Sequence, residues 1–175
     1  MTTTTLYQAS IPLARRALDN LGTLFAKAAD HFAAQDTAEA DWLGASLAPD
    51  MFPLTRQIQV ATDGVTSFAA RLAGKEAPSM PDTETSVAEL KARIAKTIAY
   101  LDSIAPASIN GREDAEIIVT VPTVSIYFTG ASYVRDFGLP NLFFHCVTAY
   151  AIMRHKGAPL GKIDFLGPID ARPNS

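Results

Sequence analysis

The chain has 175 residues, of which 48% are hydrophobic and 19% are charged, a balance typical of a folded domain rather than a disordered segment. We expect residues 1–175 to form a single domain that buries about two-thirds of the surface exposed by the unfolded chain. A net charge of −3, with no basic run longer than Arg15-Arg16, argues against binding to a phosphate backbone, so nucleic acid is not an expected partner. The one cysteine excludes an internal disulfide and a zinc site built from cysteines.

We expect neither a signal peptide nor a membrane-spanning helix from this sequence. Residues Met1–Tyr7 lack the basic and apolar regions of a signal peptide. The longest strongly apolar stretch, Leu142–Met153, is far shorter than the roughly 20 residues that a spanning helix needs. We therefore expect a cytoplasmic protein without a membrane partner.

Apolar residues at alternating steps of three and four predict a first helix over Tyr7–Phe32. Its regular part should begin near Ser10, because Pro12 is tolerated in the first turn. A loop is predicted from Gln35 to Asp50.

The same spacing predicts a second helix from Leu54 to Leu72, ended by Gly74. Gln57 falls on the apolar stripe of this helix, whereas Gln59 falls on its polar side. A buried amide needs hydrogen-bond partners, so Gln57 should face a polar cavity or a partner, unless it lies at the exposed edge of the stripe.

Residues Glu76–Thr85 contain two prolines and are predicted to form a surface connection. Ser86 and Glu89 match a capping box that begins a third helix, whose apolar stripe runs from Val87 to Ile104. Pro106 should end this helix. Helices that are apolar on one stripe must cover each other, which predicts a mainly all-α bundle.

Between the third and fourth helices, residues Glu116–Gly130 are dense in β-branched and aromatic side chains. This composition predicts an extended segment or a small β-hairpin that turns at Pro122 and Thr123. A fourth helix should start at Pro140, run to about His155 and end with Gly157.

His145 lies among aromatic residues in this last helix and is the strongest candidate for a functional side chain. The position four residues later, where a second metal-binding histidine would share its face, is Ala149. We therefore interpret His145 as a hydrogen-bonded pocket or core residue and treat it as a weak candidate for a metal ligand. Cys146 points about 100° away from His145 and is expected to be a small buried residue rather than a nucleophile. His155 should interact with the end of the helix.

Four segments resemble a bacterial and fungal family of unknown function in the DinB/YfiT-like superfamily: Leu47–Ile58, Ala70–Gly74, Pro140–Arg154 and Gly161–Gly167. The resemblance covers nearly the whole chain. It implies a four-helix bundle in up-down-down-up order that is often dimeric.

Many members of that superfamily bind a divalent metal through one histidine of the second helix and an H-x-x-x-H pair of the fourth, and some use the metal to activate a small thiol for transfer. His145 is similar to the first histidine of the pair, Ala149 stands at the second, and the second-helix position falls near Gln57. Two of the three ligands are thus replaced, and no cofactor is expected.

Three interpretations of the function follow. In the first, the bundle binds a small molecule in a pocket whose candidate residues are His145, Gln57, Tyr150 and Asp50. In the second, the protein is a divalent-metal-dependent (thiol) transferase, with zinc or nickel held by His145 and by ligands such as His31, Asp50 or Asp136. In the third, it is a non-catalytic dimeric interaction protein.

Two expectations concern the last helix itself. His145 should point into the bundle, hydrogen-bond at the level of Gln57, and have a lowered pKa unless Asp50 lies close to it. The helix is apolar nearly all round, so its surplus surface should be covered by the hairpin, by the C-terminal segment or by a second copy, and we expect a homodimer.

Overall fold

A computed structural model describes residues 4–121 and 123–170. Seven helices and one hairpin follow in chain order: α1 (Ile11–Ala34), α2 (Glu39–Leu43), α3 (Leu54–Leu72), α4 (Val87–Asp102), β1 (Glu116–Val121), β2 (Val124–Thr129), α5 (Gly130–Tyr133), α6 (Leu139–His155) and α7 (Lys162–Leu166). A short 3₁₀ turn spans Pro106–Ser108 and a π turn spans Val134–Gly138. The predicted four-helix bundle with a hairpin before its last long helix is confirmed.

The four long helices form a square in which α1 and α3 lie on one diagonal and α4 and α6 lie on the other. Both α1 and α3 pack along α4 and α6, whereas α1 and α3 touch each other at only a few residues. A chain that crosses a diagonal needs a long connection, and this accounts for the extended segments before α3 and before α6.

The connection between α1 and α3 is not a simple loop, and the prediction of a loop from Gln35 to Asp50 is wrong in this respect. Residues Glu39–Leu43 form α2, which lodges the fully buried Trp42 against Phe25 and Phe32 of α1. A helix of five residues is too short to show a helical period in the sequence. Its position is instead determined by the packing of Trp42 against α1.

A buried arginine holds the connection between α3 and α4 against both helices. The side chain of Arg93 is only 2% exposed and binds Asp63 of α3 and two acids of the connection, Asp82 and Glu84. Its Nε also donates to the hydroxyl of Thr62 at 2.7 Å. Three carboxylates thus neutralise one cation that α3, α4 and the connection share.

The prediction that Gln59 lies on the polar side of α3 is wrong, because the same connection covers it. Gln59 is 5% exposed, and its amide donates to Glu84 at 3.0 Å. Helical spacing places Gln59 outside the stripe that faces the bundle, but the connection folds over it and buries it.

The start of α4 agrees with the sequence prediction, whereas its end comes earlier than the apolar stripe suggests. Ser86 and Glu89 form the predicted capping box. The regular helix ends at Asp102, so Ile104 completes the apolar stripe from the following turn, where it is 4% exposed.

The hairpin is antiparallel and pairs Glu116 with Thr129 and Val121 with Val124. The predicted turn position Pro122 lies outside the described residues. Ile117 and Val119 of β1 are buried against the bundle, so the hairpin lies along it on one face.

From Gly130 the chain is helical almost without interruption through α5, the π turn and α6. Gly138 ends the π turn against the buried ring of Phe68, and a Cβ there would overlap the ring. This close approach brings α6 onto α3 at the level of the hairpin. After α6, the short helix α7 packs on α1, where Asn20 donates to the carbonyl oxygens of Phe165 and Leu166.

In residues 4–121 and 123–170, no helix has the length and apolar character needed to cross a bilayer.

We predict that Arg93→Met lowers the free energy of unfolding by about 3 kcal/mol, since removing one partner of a buried ion pair leaves the others unbalanced. The value lies at the low end of the usual range because Asp63 and Asp82 are more than one-third accessible to water and are partly solvated. Urea denaturation followed by the fluorescence of Trp42 measures it.

Arg15→Met is the matched control, because Arg15 pairs with Asp19 and Asp102 on the surface at 41% exposure. Its expected cost is under about 1 kcal/mol. Equal costs for the two variants would contradict the role given to Arg93.

Candidate functional site

The site begins with one hydrogen bond between α3 and α6. His145 is 7% exposed and Gln57 is 2% exposed, and Nδ1 of His145 lies 2.8 Å from Oε1 of Gln57. The prediction that His145 points into the bundle and bonds at the level of Gln57 is confirmed. The alternative that Gln57 lies at an exposed edge is wrong, because α6 covers it.

The orientation of the Gln57 amide determines which imidazole nitrogen carries the proton. Its Nε2 donates to the carbonyl oxygen of Phe52 at 3.1 Å, so its Oε1 is the atom that faces His145. An amide oxygen only accepts, and Nδ1 must therefore be the protonated nitrogen. Nε2 of His145 is left with a free lone pair.

The Nε2 lone pair of His145 faces a cleft. Among the described residues, every fully buried side-chain nitrogen or oxygen has a hydrogen-bond partner, and the one hydrogen bond recorded for this ring is at Nδ1. Nε2 of His145 therefore lies at the surface of the cleft, where it can accept a hydrogen bond or a proton.

The imidazole is held in its neutral form. Burial lowers the pKa of His145, and the positive charge of Arg56 lowers it further. The predicted direction is confirmed. Asp50 lies at the cleft and is exposed, and its carboxylate does not reverse the shift.

The cleft has a volume of about 210 Å³. Its floor is the His145–Gln57 pair and its walls are mainly apolar, and its lining residues are Asp50, Met51, Phe52, Gln57, Phe144 and His145. The loop before α3 supplies one wall and the second turn of α6 supplies the other. We call this space the histidine cleft.

The structure brings only part of the predicted residues together. Tyr150 does not line the histidine cleft but packs edge-on against Phe165 of α7, with ring centroids 5.6 Å apart. His31 lies in the last turn of α1 beside Phe32. Asp136 lies in the π turn and pairs with Arg135 at 2.7 Å. Of the described residues, Asp50 is the one carboxylate that lines the cleft with His145.

Cys146 follows His145 but faces the core. It is 2% exposed, and burial raises the pKa of its thiol to about 12, which is the behaviour expected of a packing residue.

The donor set at this position does not fit a resident divalent metal. Ala149, fully buried, takes the place of the second α6 ligand, and both ends of the Gln57 amide are already bonded. In the described part of the chain, no three His, Cys, Asp or Glu side chains stand close enough together to hold an ion. Zinc and nickel prefer three protein ligands or more, which this arrangement lacks.

Arg56 is the site residue that sequence patterns missed. Its guanidinium lies 5.8 Å from the centre of the Phe52 ring, pairs with Asp82, and acts on the pKa of His145. Its position next to Gln57 in the sequence could have marked it as a site residue. A single arginine on the side of a helix is ordinarily solvated, however, so this position alone did not identify it.

The four-helix arrangement, with a hairpin before its last long helix, is that of a DinB-like bundle. A crystal structure of a DinB family member protein from Shewanella denitrificans is similar to it, with a TM-score of 0.86 and 34% sequence identity over 97% of this chain and 96% of that chain. The search of curated proteins finds no match.

Residues 6–166 match the family described as Domain of unknown function (DUF1993), and the chain belongs to that family. The resemblance drawn from the sequence is thereby confirmed. Neither description specifies a reaction.

We predict a pH dependence of stability that His145 carries. Because its folded pKa is lowered, the unfolded chain takes up the proton first, and the stabilisation is present above the unfolded pKa of about 6.5 and lost as the pH falls through the folded value. His145→Phe should therefore flatten the decline of unfolding free energy between about pH 7 and pH 5. Urea titrations at several pH values measure the slope.

Cys146→Ala serves as the control, since burial raises the pKa of the Cys146 thiol to about 12 and the group does not titrate in this range, so its replacement should lower the unfolding free energy equally at every pH. An identical slope in the wild type and in His145→Phe would show that the imidazole is not held neutral by the fold.

Proposed function

We propose that this protein binds a small molecule in the histidine cleft without a resident metal ion. The observation that supports this most is the fixed proton on Nδ1 of His145, which aims the Nε2 lone pair at the cleft. A purely structural histidine would gain most by bonding both ring nitrogens inside the protein. Here one nitrogen is left for an outside partner.

The chemistry of the walls restricts the ligand. A neutral imidazole with a free lone pair accepts a hydrogen bond, so the ligand should carry an N–H, O–H or S–H group. Phe52, Met51 and Phe144 provide an apolar surround that suits an aromatic or aliphatic body. The volume of about 210 Å³ limits that body to roughly one ring.

We also propose a cytoplasmic location, which a lone buried thiol at Cys146 fits. No reaction is proposed, because the cleft presents one base and one carboxylate without a nucleophile or an anion-stabilising group beside them.

We predict that benzyl alcohol or benzylamine at millimolar concentration raises the melting temperature of the wild-type protein, because a ligand that binds only the folded state stabilises it by mass action. Toluene, which has the same ring but no donor, should raise it less. His145→Phe should abolish the difference between donor and non-donor probes, whereas His155→Phe should keep it. Thermal unfolding followed by Trp42 fluorescence is the measurement.

The same preparations test the absence of a metal. Untagged protein should contain well below one zinc, nickel, iron or manganese ion per chain by elemental analysis. About one ion per chain, lost in His145→Ala, would replace this proposal with the metal-dependent transferase. Equal effects of all three probes in wild type and His145→Phe would also contradict it.

We further propose that the protein is a homodimer whose contact includes the outer face of α6. Phe143, Phe144 and Val147 are 40–57% exposed on this face, and Phe52, 51% exposed, adjoins Phe144 at the histidine cleft. Neither the described part of the hairpin nor residues 156–170 cover these side chains. Residues Leu139–Met153 carry no charged side chain, so the face can meet its own copy across a two-fold axis without like-charge repulsion.

We predict that light scattering gives the mass of a dimer at micromolar concentration and that Val147→Lys shifts it to the monomer, because two ammonium groups would be buried at the axis. Ile163→Lys, at the 71% exposed Ile163 of α7, should leave the dimer intact. A wild-type monomer, or dissociation by both variants alike, would count against this contact.

A further inference from the structure

A second and larger cleft lies between the hairpin and α3, and the function proposed for the histidine cleft does not use it. Its volume is about 570 Å³. One stripe of α3 forms its long side, the end of β1 forms its roof, and the π turn with the start of α6 closes it. We call it the hairpin cleft.

An arginine and a tyrosine are held together at one end of the hairpin cleft. The guanidinium of Arg71 donates to the hydroxyl oxygen of Tyr133 at 3.1 Å, and both residues line the cleft. Tyr133 is 1% exposed, and its ring is packed among Phe68, Phe128 and Phe137 with centroid distances of 5.6–5.9 Å. The Arg71 side chain is therefore positioned by an immobile partner.

This contact uses the Tyr133 hydroxyl as an acceptor and leaves its donor capacity free. It accepts from Arg71, and no described residue accepts its own proton. Burial raises the pKa of the phenol, so the proton stays on the oxygen. A buried O–H donor and the remaining N–H donors of Arg71 thus stand side by side at the cleft, an arrangement that suits an oxygen anion.

The charges that line the hairpin cleft leave one cation without a counter-ion. Arg56 is paired with Asp82, and Asp63 is paired with Arg93 at 2.5 Å. Within the described residues, no carboxylate lies within ion-pair distance of Arg71. Among the described side chains Arg71 therefore has no carboxylate partner, and its charge is available to an anion that enters the cleft.

The rest of the cleft wall combines apolar and polar side chains, and the apolar ones are Val60, Val119, Val121 and Phe137. Ser67 and Asn141 add hydrogen-bonding groups. We propose that the hairpin cleft binds a small organic carboxylate, whose anionic end is held by Arg71 and Tyr133 and whose apolar body lies against the hairpin.

A bidentate guanidinium contact fits a planar carboxylate, and the Tyr133 proton adds a third hydrogen bond. The size of the space accommodates a body of one ring with a short chain. Val119 and Val121 lie on the same face of β1, as residues two apart in a strand do, and both line the cleft, so the hairpin contributes an apolar roof.

The test uses phenylacetate as the probe and its uncharged amide, phenylacetamide, as the matched ligand. Isothermal titration of the full chain should detect phenylacetate and should show binding of phenylacetamide that is at least tenfold weaker, because the amide lacks the charge. Tyr133→Phe keeps the ring and removes one hydrogen bond to the anion, and Arg71→Gln removes the cation. Each should weaken phenylacetate binding by about tenfold to a hundredfold.

Arg135→Gln is the matched control, since Arg135 is 72% exposed and already paired with Asp136. Its affinity for phenylacetate should equal that of the wild type, and so should that of His145→Phe if the probe occupies the hairpin cleft rather than the histidine cleft. Tyr133→Phe preserves the packed ring, so the test stands even where Arg71→Gln fails to fold.

No detectable phenylacetate binding at millimolar concentration would overturn the proposal. Equal binding of acid and amide, or undiminished binding in Tyr133→Phe or in a folded Arg71→Gln, would also overturn it. Loss of binding in His145→Phe alone would assign the probe to the histidine cleft and would likewise remove the proposal.

Discussion

The burial of the Arg93 side chain is the constraint on which the geometry of both clefts depends. A guanidinium taken out of water must be surrounded by acceptors, and Asp82 and Glu84 supply them from a connection that has no regular structure of its own. The connection is therefore drawn onto α3. Asp82 then also holds Arg56, and Glu84 also holds Gln59, so one buried cation arranges the polar flank of α3.

The four long helices and the hairpin could be predicted because each leaves a pattern in the sequence. The capping box at Ser86, the proline in the first turn of α1 and the β-branched run of β1 are local signals, and the structure follows them. The short helix α2 left no such mark. Trp42 fixes it through contacts with residues ten and seventeen positions earlier, and contacts of that kind have no period.

The residues of the candidate site could be predicted where they lie on the apolar stripe of a long helix. His145 and Gln57 were found because each interrupts an apolar face, and two polar residues at equivalent depth on packed helices satisfy each other. Arg56, Arg71 and Tyr133 lie beside the stripes and acquire their roles from the connection, the π turn and the hairpin. Tyr150, by contrast, lies on the right helix but is turned toward α7. Its direction follows from the path of the chain after α6, which the helix pattern does not contain.

Arg56 gives the two clefts a common element. It lines the hairpin cleft, lies over Phe52 at the histidine cleft, and disfavours the protonated form of His145. Arg71, which holds the anion proposed for the hairpin cleft, lies fifteen residues further along α3 than Arg56, a separation of roughly 22 Å at about 1.5 Å per residue. That distance exceeds the screening length of about 8 Å at physiological salt, so the charge of an anion bound at Arg71 hardly reaches His145. One long helix thus keeps its two ends electrically separate, and each cleft can be filled or emptied without a change in the proton affinity or ligand affinity of the other.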